Sequence, residues 1–301
     1  MPPSPLRVHL ALLTVSLLFG VNYVVVKQLV ATVQPAIWVV FRVLAATVIL
    51  VPLALLLSRR SAWPSPRALL PLSVAALFGV AANQVLFTEG IARTTPEHSA
   101  IVNACIPTFT LLVAVLAGQE RFSLRAAASI GVALAGVAWL LGIDRLWRGE
   151  GGGNDGATLL GDLLTMANGL SFAVHLVLMR RIARGLDPWA TTAVLFVFGS
   201  VMIGGYGASS LDGEALLGVL APEVVWLAAF GVLGATVLTY LLNTWALRHT
   251  HSSQVALYIN VQPLVAALVH TLLGAPPPGP RFFVALLAVA FGLWLQTRRT
   301  R

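Results

Sequence analysis

The sequence predicts an all-α integral membrane protein: ten transmembrane helices arranged as two inverted five-helix repeats, with the N- and C-termini cytoplasmic. Three observations predict it. Of 301 residues, 58% are hydrophobic and 10% charged, against roughly a quarter charged in soluble chains. Apolar runs of about 20 residues follow one another almost without pause, each long enough to cross about 30 Å of hydrocarbon. The second half of the chain also repeats the features of the first.

Ten spans follow in order, roughly 8–30, 35–57, 68–91, 97–117, 123–143, 158–180, 188–208, 222–247, 252–273 and 281–297. The first is too long for a leader h-region, lacks a small-x-small cleavage site and is matched later, so it reads as a retained helix. Pro35, Pro66, Pro188, Pro222 and Pro280 stand just before or at helix starts, where a missing N–H costs nothing. The segment 144–157, DRLWRGEGGGNDGA, reads as a flexible extracytoplasmic linker. It divides the chain into a first repeat, 1–143 (spans 1–5), and a second, 158–301 (spans 6–10).

Basic residues set the orientation. With the N-terminus inside, Arg7, Arg59, Arg60, Arg67, Arg121, Arg125, Arg180, Arg181, Arg184, Arg248, Arg298, Arg299 and Arg301 are cytoplasmic. Arg93, Arg145, Arg148, Arg281 and Lys27 fall outside, with most of the acids, including Asp144, Glu150, Asp155, Asp162, Asp212, Glu214 and Glu223. That is the positive-inside asymmetry. It accounts for the net charge of +8 without nucleic acid, for which there is no basic surface with interleaved aromatics. The single Cys105 lies in an apolar run, which leaves no disulfide framework or metal cluster.

The copies are legible in pairs. Pro35 matches Pro188 at a spacing of 153, as Asn22 matches His175 and Lys27 matches Arg180; LFGV at 77–80 answers AFGV at 229–232. Arg93 answers Arg248 and Gly136 answers Gly292. The fourth span, TPEHSAIVNACIPTFTLLVAVLAGQER at 95–121, is echoed by HSSQVALYINVQPLVAALVHTLLG at 251–274. An odd number of spans per copy makes the second enter from the opposite side. Inverted repeats of this kind are the usual architecture of alternating-access transporters, with a substrate site near the midplane.

These stretches, together with LLFGVNYVVVK, QPAIWVVFRVLAA and GDLLTMANGLSFAVHLVLMRR, carry a family likeness over nearly the whole chain. The sequence resembles the ten-helix drug/metabolite transporter superfamily, specifically its EamA-type bacterial members. The resemblance implies an exporter or facilitator of small metabolites in the cytoplasmic (inner) membrane, with a central cavity lined by helices 1–4 and 6–9. One departure stands out. The Gly-x-Glu that Gly118, Gln119 and Glu120 supply in the first copy is Gly274, Ala275, Pro276 in the second.

Polar groups in hydrocarbon are costly and usually face a cavity, another helix or water. Asn22 and Tyr23 lie mid-span, and His175 takes the matched place in span 6. They either hydrogen-bond substrate from two sides or bond across helices. Arg42 lies about a third of the way into span 2, where a charge costs about 2.5–3.5 kcal/mol. It either attracts a substrate carboxylate or pairs with Glu89. Glu89 is the one carboxylate well within a span and is the candidate for proton coupling, unless a salt bridge to Arg42 or Arg93 explains it. Asn83 and Gln84, with Tyr240, Asn243 and Trp245, form a second set; Tyr240 and Asn243, three apart, suit one face, while Trp245 suits an interfacial anchor. Asn103, Tyr258, Asn260 and Gln262 attend Pro107 and Pro263, expected as hinges that free carbonyls one turn earlier. Trp38 is either a cavity wall or, slightly favoured, a belt residue. Ala127, Gly131 and Ala135, with Ala288 and Gly292, recur every fourth residue, which allows close helix approach. Spans 5 and 10 are therefore expected to brace the halves, in a monomer or a weak homodimer contacting through them.

Enzyme motifs are missing. Gly169-Leu170-Ser171-Phe172-Ala173 faintly resembles a serine-nucleophile turn, but its last residue is Ala and His175 lies on the same helix. No His-Glu-x-x-His, paired aspartates or phosphate loop occurs, so neither a metal nor a cofactor is expected. The expectation is a secondary transporter exporting a small organic metabolite, an amino acid or an amphipathic or aromatic solute. A passive facilitator and an intramembrane enzyme are the alternatives.

Overall fold

The computed structural model describes residues 5–58, 63–119, 123–142, 158–182, 186–207, 213–250, 255 and 258–297, and every regular element among them is helical. The linker 144–157, Glu120 and the loop and terminal arginines Arg59, Arg60, Arg121, Arg184, Arg298, Arg299 and Arg301 lie outside the described residues.

The first half runs α1 Pro5–Leu29, α2 Pro35–Leu57, α3 Pro66–Ala76, a π-helical segment Leu77–Ala81, α4 Ala82–Arg93, α5 Pro96–Asn103, α6 Ile106–Leu116 and α7 Leu124–Leu140. The second runs α8 Leu159–Ile182, α9 Pro188–Gly207, α10 Gly213–Gly218, α11 Val225–Ala229, a π-helical segment Phe230–Leu238, α12 Thr239–His249, a 3-10 turn Tyr258–Val261, α13 Gln262–Leu272 and α14 Pro280–Thr297. Among the described residues seven helical stretches are long and apolar enough to cross a membrane: Leu6–Leu29, Pro35–Leu57, Pro66–Arg93, Pro96–Leu116, Leu159–Ile182, Pro188–Tyr206 and Val225–His249. Ala127–Leu140, Tyr258–Leu272 and Pro280–Gly292 are apolar but shorter. Pro35, Pro66, Pro188 and Pro280 open their helices as expected, whereas Pro222 sits in a turn three residues ahead of α11.

The irregularities have local causes. The fourth stretch breaks at Ala104–Cys105, between α5 and α6, because Pro107 has no N–H to continue the ladder. Pro263 follows the 3-10 turn in the same way. The two π segments begin at Leu77 and Phe230, 153 residues apart, inside the matching LFGV and AFGV stretches. Gly118 (φ 66°) and Gly274 (φ 93°) take the left-handed conformation that closes a helix. Gln119 N–H then reaches back to Ala114 O, and Ala275 N–H to His270 O. The two helices thus end alike although Ala275 and Pro276 follow Gly274 where Gln119 and Glu120 follow Gly118.

Packing is dominated by α7 against α14, α2 against α9 and α4 against α8. α1 packs on α13 and α12, and α5 and α6 pack on α8. Only the span-10 stripe packs as expected: Ala288 and Gly292 meet α7 through Ser129, Ala133 and Gly136, whereas Gly131 has open space around it and Ala135 is exposed, so the Ala127, Gly131 and Ala135 stripe faces away from α14. A Cβ on Gly136 would lie 2.6 Å from the Ala288 Cβ, and one on Gly292 would lie 2.8 Å from Ser129 O. The opposite faces of these helices expose Trp139, Phe283, Leu287 and Phe291, as lipid-facing surfaces do.

Candidate functional site: a polar cavity between the helices

α1 contributes Leu12, Val15, Ser16, Phe19, Asn22 and Tyr23 to one cavity wall. The spacing is that of a single helical face. α4 and α5 add Asn83, Gln84, Phe87 and Asn103, α8 adds Asn168 and Phe172, and Asn243, Tyr258, Ile259 and Gln262 come from the last spans. Arg42 reaches in from α2. The space is about 60 Å³, room for about four waters at ~15 Å³ each.

Arg42 is 1% exposed. Its Nε donates to Thr236 Oγ1 at 2.6 Å and its Nη2 to Ala235 O at 3.1 Å, and the guanidinium lies 5.7 Å from the Trp38 ring centroid. Thr236 passes the bond on to Gly231 O at 2.7 Å. Arg42 is therefore anchored on the π segment of span 8. Among the described residues no carboxylate pairs with it. Nη1 has no partner there, and neither do Oδ1 of Asn22, Asn103 and Asn243. All four belong to residues of the cavity wall. A buried group of this kind is costly unless something in the cavity bonds it.

Of the two salt bridges open to Glu89, the one to Arg42 does not form and the one to Arg93 does. Glu89 pairs instead with Arg93, one helical turn on, and accepts from Tyr206 Oη at 2.6 Å, away from the cavity. Glu89 is held by Arg93 on its own helix and Arg42 by span 8, so the two do not meet.

His175 and Tyr240 also differ from expectation in what they touch. The π segment Leu77–Ala81 and the helical turns on either side of it offer carbonyls to side chains from spans 6 and 8. His175 Nδ1–H donates to Ala75 O at 2.9 Å, Ser171 Oγ to Phe78 O at 2.7 Å, and Asn168 Nδ2 to Asn83 O at 2.9 Å. Tyr240 Oη donates to Gly79 O at 2.5 Å, and Gln84 Nε2 lies 3.5 Å from it. His175 and Tyr240 thus brace the cavity from behind and do not line it. Trp38 is neither belt nor wall. It is fully buried in the room left by Gly231, where a Cβ would come within 2.7 Å of its ring. Asn260 sits on the 3-10 turn beside Tyr258 but outside the wall, and Trp245 is half-buried against His249. Tyr23 donates to Gln262 Oε1 at 3.0 Å and Ser16 to Tyr258 O at 2.6 Å, so α1 is bonded to the last spans along the cavity. Pro107 and Pro263 lie at the two helix breaks, beside Ile106 and Gln262 of the wall.

Sequence reasoning missed Ser16, Phe19, Phe87, Asn168 and Phe172. A signal existed for two of them, since Phe19 and Phe172 stand 153 residues apart, the repeat spacing. Asn168 shares a helix face with Phe172 and His175 at intervals of four and three.

Fold and cavity together define an all-helical membrane protein with a polar site enclosed among its spans. The chain belongs to the EamA-like transporter family, whose pattern matches residues 6–142 and again 159–298. It is similar to the uncharacterized inner membrane transporter YedA of Escherichia coli K12, at 28% identity over 95% of this chain and 89% of the relative. It is also similar to an uncharacterized transporter of Archaeoglobus fulgidus, at 25% identity over 97% and 98%. A third relative is the uncharacterized transporter YyaM of Bacillus subtilis, at 24% over 90% and 87%. A solved crystal structure shares the fold with a TM-score of 0.69 over 98% of this chain and 97% of that one, at 15% identity. The protein is a multi-pass transporter of the inner membrane.

Proposed function

We propose that the protein exports a small organic solute carrying a carboxylate and an apolar or aromatic body, an amino acid or a similar amphipathic metabolite, by alternating access around this cavity. The observation that carries the reading is the buried Arg42 guanidinium, with Nη1 unpartnered among the described residues and no carboxylate beside it. The cavity supplies amides for polar substituents and Phe19, Phe87 and Phe172 for an apolar body. One guanidinium with no second cation in the wall suits a single carboxylate better than a phosphate.

The reading takes the chain as ten spans in two inverted repeats, the architecture that such a mechanism uses. Seven long apolar stretches and three shorter ones among the described residues support that count. Exchanging the first five for the last five carries the packing onto itself: α4 on α8 becomes α12 on α1, and α5 on α8 becomes α13 on α1. The pairs α2–α9 and α7–α14 map onto themselves. The two family matches, on either side of the 144–157 linker, support a division at 143/158. Rocking of the halves would bend the chain at the breaks before Pro107 and Pro263. The Lys and Arg asymmetry supports cytoplasmic termini, with spans 5 and 10 bracing a monomer or a weak homodimer.

The test is a thermal-stabilisation screen of purified protein with amino acids, the corresponding amines and lipophilic cations, followed by counterflow in proteoliposomes with any hit. Stabilisation by the cations alone would overturn the substrate class. Equilibration without accumulation under any imposed gradient would make the protein a passive facilitator.

A further inference from the structure

The polar groups that the cavity leaves unused gather at one end of the bundle, directly beyond it. Lys27 is one turn past Tyr23 on α1. Its Nζ donates to the carbonyls of Ile91, Ala92 and Thr94 at 3.2, 3.2 and 2.8 Å. Thr94 Oγ1 donates to Asp162 Oδ1 at 2.5 Å, and His98 Nδ1 lies 3.2 Å from Asp162 Oδ2. Glu97, the next residue along, pairs with His270 of α13. The closure is tight, since a Cβ on Gly161 would lie 2.6 Å from the carbonyl carbon of Arg93. Asp162 and Thr94 are almost wholly buried. Opening this end requires α5 to part from α8 and α13. Glu97 and His98 belong to the first half, and both their partners belong to the second.

We infer that His98–Asp162 and His270–Glu97 form a proton-binding latch that holds this end of the transport pathway shut. Two adjacent residues of α5 make ties of opposite polarity, each uniting an imidazole with a carboxylate. Imidazole is the side chain that changes charge near neutrality. With the proton bound, each tie is an ion pair. With the proton lost, the ion pair is gone and only a hydrogen bond from a neutral imidazole to the carboxylate remains. The ties are firmest with the imidazoles protonated and the carboxylates ionised, and they weaken as the imidazole protons are lost. The other charged groups on helices packed against α5 are engaged elsewhere. Lys27 caps the span-3 carbonyls and remains a constant tie, Arg93 is held by Glu89, and Arg281 of α14 donates to Trp139 O and lies over its ring. The role of the latch in gating rests on the transporter reading; its existence does not.

The experiment is hydrogen–deuterium exchange of the full-length protein in phosphatidylcholine–phosphatidylglycerol nanodiscs, following peptides over 91–99 and 158–165 with exchange corrected for intrinsic rates. No substrate is needed, so failure of the substrate proposal leaves the result interpretable. Protection at about pH 5.5 is expected to exceed that at about pH 7.5 by roughly three- to tenfold, the range for two partly exposed ion pairs. In His98→Gln/His270→Gln the ratio falls to about one, because glutamine keeps a hydrogen bond and cannot take a proton. Lys27→Met lowers protection by the same factor at both pH values. A flat wild-type profile overturns the latch even if the double variant fails to fold, and so does a double variant that keeps the pH ratio.

Discussion

Arg42→Met separates the cost of burying a guanidinium from its use. The substitution removes two hydrogen bonds and a ring contact, yet leaves no acceptor orphaned. Ala235 O still receives Thr239 Oγ1 at 2.9 Å, and Thr236 still donates to Gly231 O. Methionine has a similar reach and needs no polar partner, and replacing a buried ion by an apolar residue of similar volume is often neutral or stabilising. The expected change in stability is within about 1 kcal/mol either way, a shift of a few degrees in melting temperature. Binding behaves differently. A hydrogen bond from a charged group contributes about 1.5–3 kcal/mol, so affinity for a carboxylate-bearing solute should fall by about 10- to 150-fold. Calorimetric titration of both proteins with an amino acid and with its decarboxylated amine reads this directly. Wild type prefers the amino acid by that ratio and Arg42→Met treats the two alike. A variant that keeps the wild-type preference removes Arg42 from the site. A variant that unfolds would show that the guanidinium is a structural anchor of the span-8 π segment.

Three further outcomes follow from the packing. Gly79→Ala places a Cβ 2.0 Å from His175 Nδ1, and overpacking of that kind costs about 1–3 kcal/mol. Adding His175→Ala relieves the clash, so thermal denaturation of the double variant should show a coupling of about 0.5–3 kcal/mol, and additive losses would contradict the contact. Gly292→Val drives a branched side chain into Ser129 O and Ala133 and should prise α14 from α7. The expected loss is about 1–3 kcal/mol in melting studies with solute affinity kept, while an affinity loss exceeding the stability loss would tie these helices to the site. Glu89→Gln leaves Tyr206 and Arg93 with a neutral partner outside the cavity, so proteoliposome uptake under an imposed pH gradient should keep its pH response; abolition of that response would make Glu89 the coupling carboxylate.

Much of the fold is legible from composition and spacing, because lipid imposes a simple rule. Every backbone group must be satisfied within the chain, so apolar runs of sufficient length become helices. The sequence pairs LFGV with AFGV and Gly118 with Gly274, and the structure has a π segment in each of the first pair and a left-handed glycine at each of the second. Membership of a transporter family also follows from the sequence alone. Which polar residues face the cavity does not. A polar side chain in a span has three outlets, and periodicity cannot choose among substrate, neighbouring helix and its own distorted backbone. Asn22 and His175 stand 153 residues apart, yet one lines the cavity and the other caps the Ala75 carbonyl at the end of α3, just ahead of the first π segment. Trp38 has the composition of a belt residue, yet it fills the space that Gly231 vacates on another span. Arg42 was recognisable as costly from its depth alone. Only the tertiary structure gives it Thr236 and Ala235 in place of Glu89, because those partners lie 194 and 193 residues away and their approach depends on how two helices meet.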